Sequence, residues 1–311
     1  MRANNNNCIQ GKLTMRKIIV ALCIFLAAWP SAAHELHVRY PSIQHPYYAK
    51  RDVFFVTLLR MALERSGEPY KLINVDFSEY SERRSVLLLQ SDQYDVHWMN
   101  TTAERERELL PVRIPLCKGV IGWRAFFIRP EDQTLFDKIT TVKDLRPLIF
   151  VQGHDWADAD ILHKNGFLVE RAPNWAGLFK MVAMGRAQLF PRSIFEIIAE
   201  QKEPSSQGLV IEKNLLLRYP AAYYFFVAKN NHRLKNALER GLMKSVEDGS
   251  FDQWFFTTYG DQLMQLNLEQ RRILSIDNPD LQKHLSMQDQ RLWFSIEWFK
   301  QAKQKYAAAN K

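Results

Sequence analysis

The chain has 311 residues, 47% of them hydrophobic and 24% charged, with 42 Lys and Arg against 34 Asp and Glu, for a formal net charge of +8. That length supplies either one large domain or two lobes with separate cores. The basic excess is mild, and no arginine-rich run with interleaved aromatics marks a nucleic-acid face.

The first 33 residues read as a signal peptide. Met15-Arg16-Lys17 is a basic start, and Ile18–Ala28 is an apolar run too short to span a bilayer. Ser31-Ala32-Ala33 offers small residues for cleavage before His34, and Met1–Thr14 reads as an overlong start before Met15. The alternative is an uncleaved anchor. Cys23 lies inside the apolar run behind Leu22, unlike a lipoprotein cysteine. Cleavage of 33 residues from 311 leaves 278; it removes Arg2, Lys12, Arg16 and Lys17 and no acid, lowering the charge from +8 to +4. Of three cysteines only Cys117 then remains, which excludes an intrachain disulfide and reads as a packed thiol. The expected location is the periplasm.

Glu35–Tyr40 alternates like a first strand, and Pro41 and Pro46 punctuate a loop. Arg51–Arg65 carries Phe55, Leu58, Leu59 and Ala62 at helical spacing and stops at Gly67. Tyr70–Val75 reads as a strand, Ser78–Leu89 as a helix with Val86, Leu87 and Leu89 inward, and Asp95–Trp98 as a third strand. This β-α-β-α-β order predicts a parallel sheet. The third strand runs into a polar cluster, Asn100-Thr101-Thr102, at the strand end where open sheets bind ligands. Val112–Leu116 is strand-like, and Gly122–Ile128 is apolar enough for a buried strand.

A second unit begins after Pro130. Thr141-Val142-Lys143-Asp144 has the spacing of a capped helical turn. Leu148–Gln152 and Phe167–Arg171 read as strands, with a helix through Leu162 between them. Asn174 caps a helix ending near Gly185, Gln188–Pro191 is a short strand, Ser193 starts another helix, and Leu209–Glu212 is strand-like. Pro220–Ala228 is a second apolar strand, expected to partner Trp123–Ile128 where the chain recrosses between lobes. Leu234, Ala237, Leu238 and Leu242 form a helix stripe, and Phe251–Thr257 continues as a short helix. Leu292, Trp293, Ile296 and Phe299 form an aromatic stripe, read as a C-terminal helix across lobe one, with membrane or partner docking as the alternative.

Asp95-Val96, Thr102-Ala103-Glu104-Arg105 and Pro115, followed by Thr141-Val142-Lys143-Asp144-Leu145, Val151-Gln152-Gly153, Met184-Gly185-Arg186 and the Leu234–Gly249 helix, resemble in order and spacing the bacterial extracytoplasmic solute-binding proteins of family 3, the amino-acid-binding class. The resemblance covers roughly residues 35–262. It implies an α/β, two-lobed, type II periplasmic-binding-protein fold, hinged on two crossover strands and closing on a ligand. The expected division is 34–125 and 222–311 for lobe one with a C-terminal extension, and 126–221 for lobe two.

The resemblance implies that Arg105 grips a ligand carboxylate, because guanidinium pairs with it bidentately. Asn100, Thr101 and Thr102 add hydrogen bonds, with turn and cap duty as their alternative. Tyr40, Tyr47, Trp98 and Trp156 are read as cleft walls or as core. The second lobe departs from the pattern. The aspartate expected after the Gly-Arg turn falls near Ser193, and the Ser/Thr after the glycine turn falls at His154-Asp155. The expected ligand is therefore a small carboxylate, amino-acid-like but not necessarily a standard amino acid. The implied partner is an ABC transporter permease or a sensor, and the expected state is monomeric. No Gly-x-Ser-x-Gly, HExxH, P-loop or nucleotide fingerprint occurs, and no cofactor or metal site is expected; His34 and His37 offer only adventitious binding. The enzymatic alternative is a cyclohexadienyl dehydratase, as in some relatives, with Asp155 or Glu196 as the acid. A ligand-free accessory protein is the third reading.

Overall fold

β1 (Leu36–Ile43) is a strand whose alternation buries Leu36 and Val38 and then, with the phase shifted in mid-strand, Pro41 and Ile43; it pairs in parallel with β2 (Tyr70–Phe77). The computed structural model describes residues 34–43, 46–77, 82–279 and 289–306, without the side chains of residues 46–48. The signal-peptide reading and the side chain of Tyr47 lie outside them. Leu36–Lys311 forms one compact unit, within which two groups of strands make two lobes.

In lobe one, α1 (Pro46–Ser66) follows β1, and α2 (Glu82–Gln90) leads to β3 (Val96–Asn100). The expected inward residues Phe55, Leu58, Leu59, Ala62, Val86 and Leu89 are buried, but Leu87 is half exposed and faces outward. Three residues after Thr102 caps α3 (Ala103–Glu108), the guanidinium of Arg105 turns back into the protein. β4 (Leu110–Val112) comes next, shorter and earlier than Val112–Leu116.

Lobe two is centred on β5 (Trp123–Ile128). After α4 (Gln133–Phe136) and α5 (Val142–Leu145), whose Thr141–Asp144 capping box forms as expected, come β6 (Ile149–Gly153), α6 (Ala157–Lys164) and β7 (Leu168–Ala172). α7 (Trp175–Ala183), capped by Asn174, leads to β8 (Phe190–Ser193), α8 (Ile197–Glu200), β9 (Val210–Ile211) and β10 (Leu215–Arg218). β5 pairs antiparallel with β8, β9 and β10, and β6 pairs in parallel with β7. The N–H of Val151 donates to the carbonyl of Leu189 at 3.1 Å, joining the β6–β7 pair to the run into β8.

β11 (Tyr223–Val227) returns to lobe one and pairs antiparallel with both β3 and β4. The expected pairing of β11 with β5 is therefore corrected. Apolar periodicity identifies two buried strands but carries no information about which neighbour each will choose. The two chain segments meet just outside those strands. Leu116 N–H donates to Tyr223 O at 3.0 Å, and Tyr219 N–H donates to Gly122 O at 3.0 Å. At Gly122 a Cβ would lie 2.0 Å from Tyr219 O, so only glycine allows the segments so close.

α9 (His232–Glu247) packs on α1 at Gly241, where a Cβ would sit 1.7 Å from Ala62 O. α10 (Ser250–Gln265) is twice the expected length and spans both lobes: Phe54 of α1 and Phe195 of lobe two both pack on Tyr259, with ring centroids 4.8 and 5.4 Å away. The chain then returns to lobe two, where β12 (Arg272–Ser275) adds in parallel to the edge of β10. α11 (Ile296–Tyr306) carries the C-terminal stripe. Leu292 and Phe299 are buried, and Phe299 packs on Phe256 of α10 and on Phe294. The helix lies against α10 and the crossover rather than across lobe one. Among the described residues no helix is long and apolar enough to cross a membrane.

Lys118 sits in the first crossover, fully buried and at φ +50. Its ammonium bonds Asp252 of α10 at 2.7 Å and also the carbonyl of Arg291, and it lies 4.8 Å from the Trp298 ring centroid. The Lys118 carbonyl accepts from Phe294 N–H at 2.7 Å. The C-terminal segment is thereby fastened to the crossover by both the main chain and the side chain of one residue.

Candidate functional site

A cavity of about 210 Å3 lies between the lobes. Lobe one contributes Ile43, Arg51, Glu82, the β3 residues His97–Asn100, and Tyr223; lobe two contributes Arg124, Gly153–Asp158, Trp175, Arg192 and Glu196. The strand ends of β3 and β6 thus converge on one space, as the polar clusters after each strand predict.

Five of the expected ligand residues meet there. Trp98, fully buried, donates from its indole to Asp52 Oδ1 at 3.1 Å and stacks on Phe55. Asn100 is buried, and its Oδ1 has no hydrogen-bond partner among the described residues. His154, Asp155 and Trp156 come from the turn after β6, where Gly153 leaves the only room for the Trp156 ring beneath it. Asp155 Oδ2 accepts the Glu82 N–H from the opposite lobe at 3.1 Å. Thr101, Thr102 and Arg105 line an adjoining groove of about 460 Å3 that shares Asp155 with the cavity. Thr101 Oγ1 donates to Glu106 at 2.7 Å, and Thr102 caps α3 through the Arg105 N–H at 3.1 Å.

Arg105 already has partners. Its Nη1 donates to the Asn100 carbonyl and its Nη2 pairs with Glu82. Burial raises the Glu82 carboxyl above its usual range, against the opposing pull of Arg105. Tyr40 and Ser193 are not in the cavity wall. Tyr40 is half-buried on β1 opposite Asn74, and Ser193 is fully buried, donating to Val120 O at 2.8 Å. The helix expected to start at Ser193 begins only at Ile197, because Ser193 still pairs with Arg124 in the sheet.

Arg124 was hidden in the sequence by its apolar neighbours on β5. It is fully buried, and its Nη2 meets Asp158 Oδ1, which also accepts from Tyr219. Its Nε and Nη1 have no hydrogen-bond partner among the described residues. A single charge within an otherwise apolar strand was the available signal, since arginine is rarely buried without a partner. Arg192 is also buried. It bonds Glu200 at 2.7 Å, approaches Glu196 at 3.2 Å, and lies 4.8 Å from the Trp156 ring centroid. Burial raises the Glu196 carboxyl, opposed by Arg192. His97 is pushed down to about 3 by burial, with Arg51 and Arg105 adding to the effect, so its ring is neutral at ordinary pH. The cavity can therefore hold an anion at Arg124, donate to or accept from a polar ligand at Asn100, and stack a flat group near Trp156. Among the described residues no three His, Cys, Asp or Glu side chains gather as a metal site.

Solved structures similar in fold are numerous. The chain superposes with TM-score 0.56 on the probable amino-acid ABC transporter extracellular-binding protein ytmK from Bacillus subtilis, at 17% identity, covering 73% of this chain and 99% of that one. The chain has the type II periplasmic-binding-protein fold. The same fold superposes on the periplasmic VFT2 domain of Bordetella pertussis BvgS, with TM-score 0.55 and 17% identity over 73% of this chain and 93% of that one. A histidine kinase sensor domain with similarity to periplasmic binding proteins gives TM-score 0.53 and 16% identity, covering 74% and 98%. No family model matches the sequence, and no curated protein matches it.

Proposed function

We propose that the chain is an exported, non-enzymatic solute-binding protein that holds a small carboxylate-bearing solute in the interlobe cavity, for a transporter or a sensor. The observation that carries this reading is Arg124, buried in the cavity wall with Nε and Nη1 unpartnered. A buried guanidinium half supplied with acceptors is costly, and a carboxylate that completes it offsets that cost with charge-assisted hydrogen bonds. Asp158, on the other side of Arg124, fixes the orientation of the fork. The role that the resemblance gives Arg105 passes in this reading to Arg124, because Glu82 already occupies Arg105. The structural neighbours include both a transporter's binding protein and sensor domains, in keeping with either outlet.

The test starts with native mass spectrometry of freshly purified protein to identify a co-purified solute, followed by calorimetry with it. A charge-assisted pair contributes about 1.5–3 kcal/mol, so Arg124→Ala is expected to weaken binding roughly tenfold to a hundredfold or more. Arg105→Ala is expected to cost less affinity. Equal affinity in wild type and Arg124→Ala removes the carboxylate reading.

A further inference from the structure

Behind the interlobe cavity, on the far side of Arg51 and Glu196, lies a second hollow of about 320 Å3. Its walls come from α1, α8 and α10, so it too is built from both lobes. Its lining is aromatic. Phe54 stacks on Trp254 with centroids 6.2 Å apart at 12°, and Tyr259 bridges Phe54 to Phe195. A volume of this size, with an aromatic wall and polar groups converging at its margin, has the character of a small-molecule site.

Two polar atoms in this wall lack partners among the described residues: the Trp254 indole Nε1, a donor, and the Gln262 Oε1, an acceptor. Left unsatisfied, buried polar atoms of this kind destabilise the fold, and a ligand group that completes them removes the penalty. The charged groups in the lining also divide unequally. Arg51 pairs with Asp52 and Glu196 with Arg192. Lys50 and Lys202 are exposed and make no ion pair among the described residues, and Glu203 alone opposes them. The free charge at the rim is therefore positive.

We infer that this hollow is a second binding site, separate from the interlobe cavity, for a small hydroxylated aromatic acid. The ring lies along the Phe54–Trp254 wall. The carboxylate meets the lysines at the rim, and a ring hydroxyl, which can both donate and accept, serves Gln262 Oε1 or the indole N–H. Because Arg51 and Glu196 line both spaces, a molecule here presses on the wall of the solute cavity and touches both lobes at once.

The test uses 4-hydroxybenzoate as probe and the indole N–H resonances of the 15N-labelled protein as reporters, with Trp254→Phe identifying the Trp254 signal. The expected result is saturable binding that shifts the Trp254 indole signal more than those of Trp98 and Trp156. Benzoate, lacking the hydroxyl, is expected to bind more weakly. Lys202→Glu, a surface change that leaves the fold intact, is expected to weaken 4-hydroxybenzoate about fivefold or more. Absence of saturable binding overturns the inference. So does a shift confined to Trp98 and Trp156, which places the probe in the solute cavity, and so does an unchanged affinity in Lys202→Glu.

Discussion

The backbone N–H of Glu82 in lobe one donates to Asp155 Oδ2 of lobe two, 3.1 Å away, while the Glu82 side chain holds Arg105. One residue thus closes the cleft with its main chain and neutralises a buried guanidinium with its side chain. Asp155→Ala removes the acceptor from the bridge and is expected to populate a more open form, seen as a larger radius of gyration in small-angle scattering. Asp155→Asn keeps an acceptor oxygen and is expected to scatter like wild type. Identical scattering by all three proteins would show that this contact does not hold the lobes.

Glu82→Ala leaves Arg105 without its counter-charge in a largely buried place. The pair is short of full burial, so the expected loss of stability is about 1–3 kcal/mol, read from urea midpoints. Glu82→Gln keeps a carbonyl oxygen for Arg105 and is expected to lose less.

His97 makes the protein sensitive to acid. Its imidazole is held down to about 3 against an ordinary 6.5, chiefly by burial and further by Arg51 and Arg105. Between those values the unfolded chain binds the extra proton and the fold does not, so the stability contributed is complete above 6.5 and is lost as pH falls toward 3. His97→Gln is expected to flatten that part of the stability–pH curve by roughly 2–4 kcal/mol. The comparison of wild type and variant denaturation at pH 7 and pH 4 decides it.

The Lys118–Asp252 pair offers a double-mutant cycle. Asp252→Ala strands an ammonium that burial already pushes down, and is expected to destabilise by about 3–5 kcal/mol. Adding Lys118→Met to that change removes the stranded charge and is expected to recover part of the loss. Additive losses would mean the two groups do not stabilise each other.

Export is checked at the amino terminus. Edman sequencing of protein recovered from the periplasm is expected to begin at or near His34; recovery of the intact Ile18–Ala28 segment in a membrane fraction overturns the signal reading.

Many elements of both lobes were legible because they are local. The Phe55–Ala62 stripe, the Asn174 cap and the Thr141–Asp144 box each depend on residues a few positions apart. Partner choice is not local, which is why β5 and β11 were recognised as strands and joined to the wrong neighbours. β10 and β12 are four residues each, too short for a period to register. At the candidate site, residues at the ends of β3 and β6 do line one interlobe cavity. The state of Arg105 was invisible because Glu82 reaches it from 23 positions away in sequence. Arg124 was overlooked for the opposite reason: its strand looked apolar, and the one charge in it was read as part of the background.

β12 has a consequence for the order of assembly. The outer strand of lobe two consists of residues 272–275, although the rest of its sheet lies between residues 123 and 218. A chain emerging from its amino end can form most of that sheet early, but β10 keeps an open edge until residues 272–275 arrive. Open edges recruit other strands, and pairing across such a sequence distance is slow. Maturation of lobe two is therefore expected to wait on the emergence of residues 272–275, and truncation before residue 272 is expected to leave an aggregation-prone product rather than a shorter stable one.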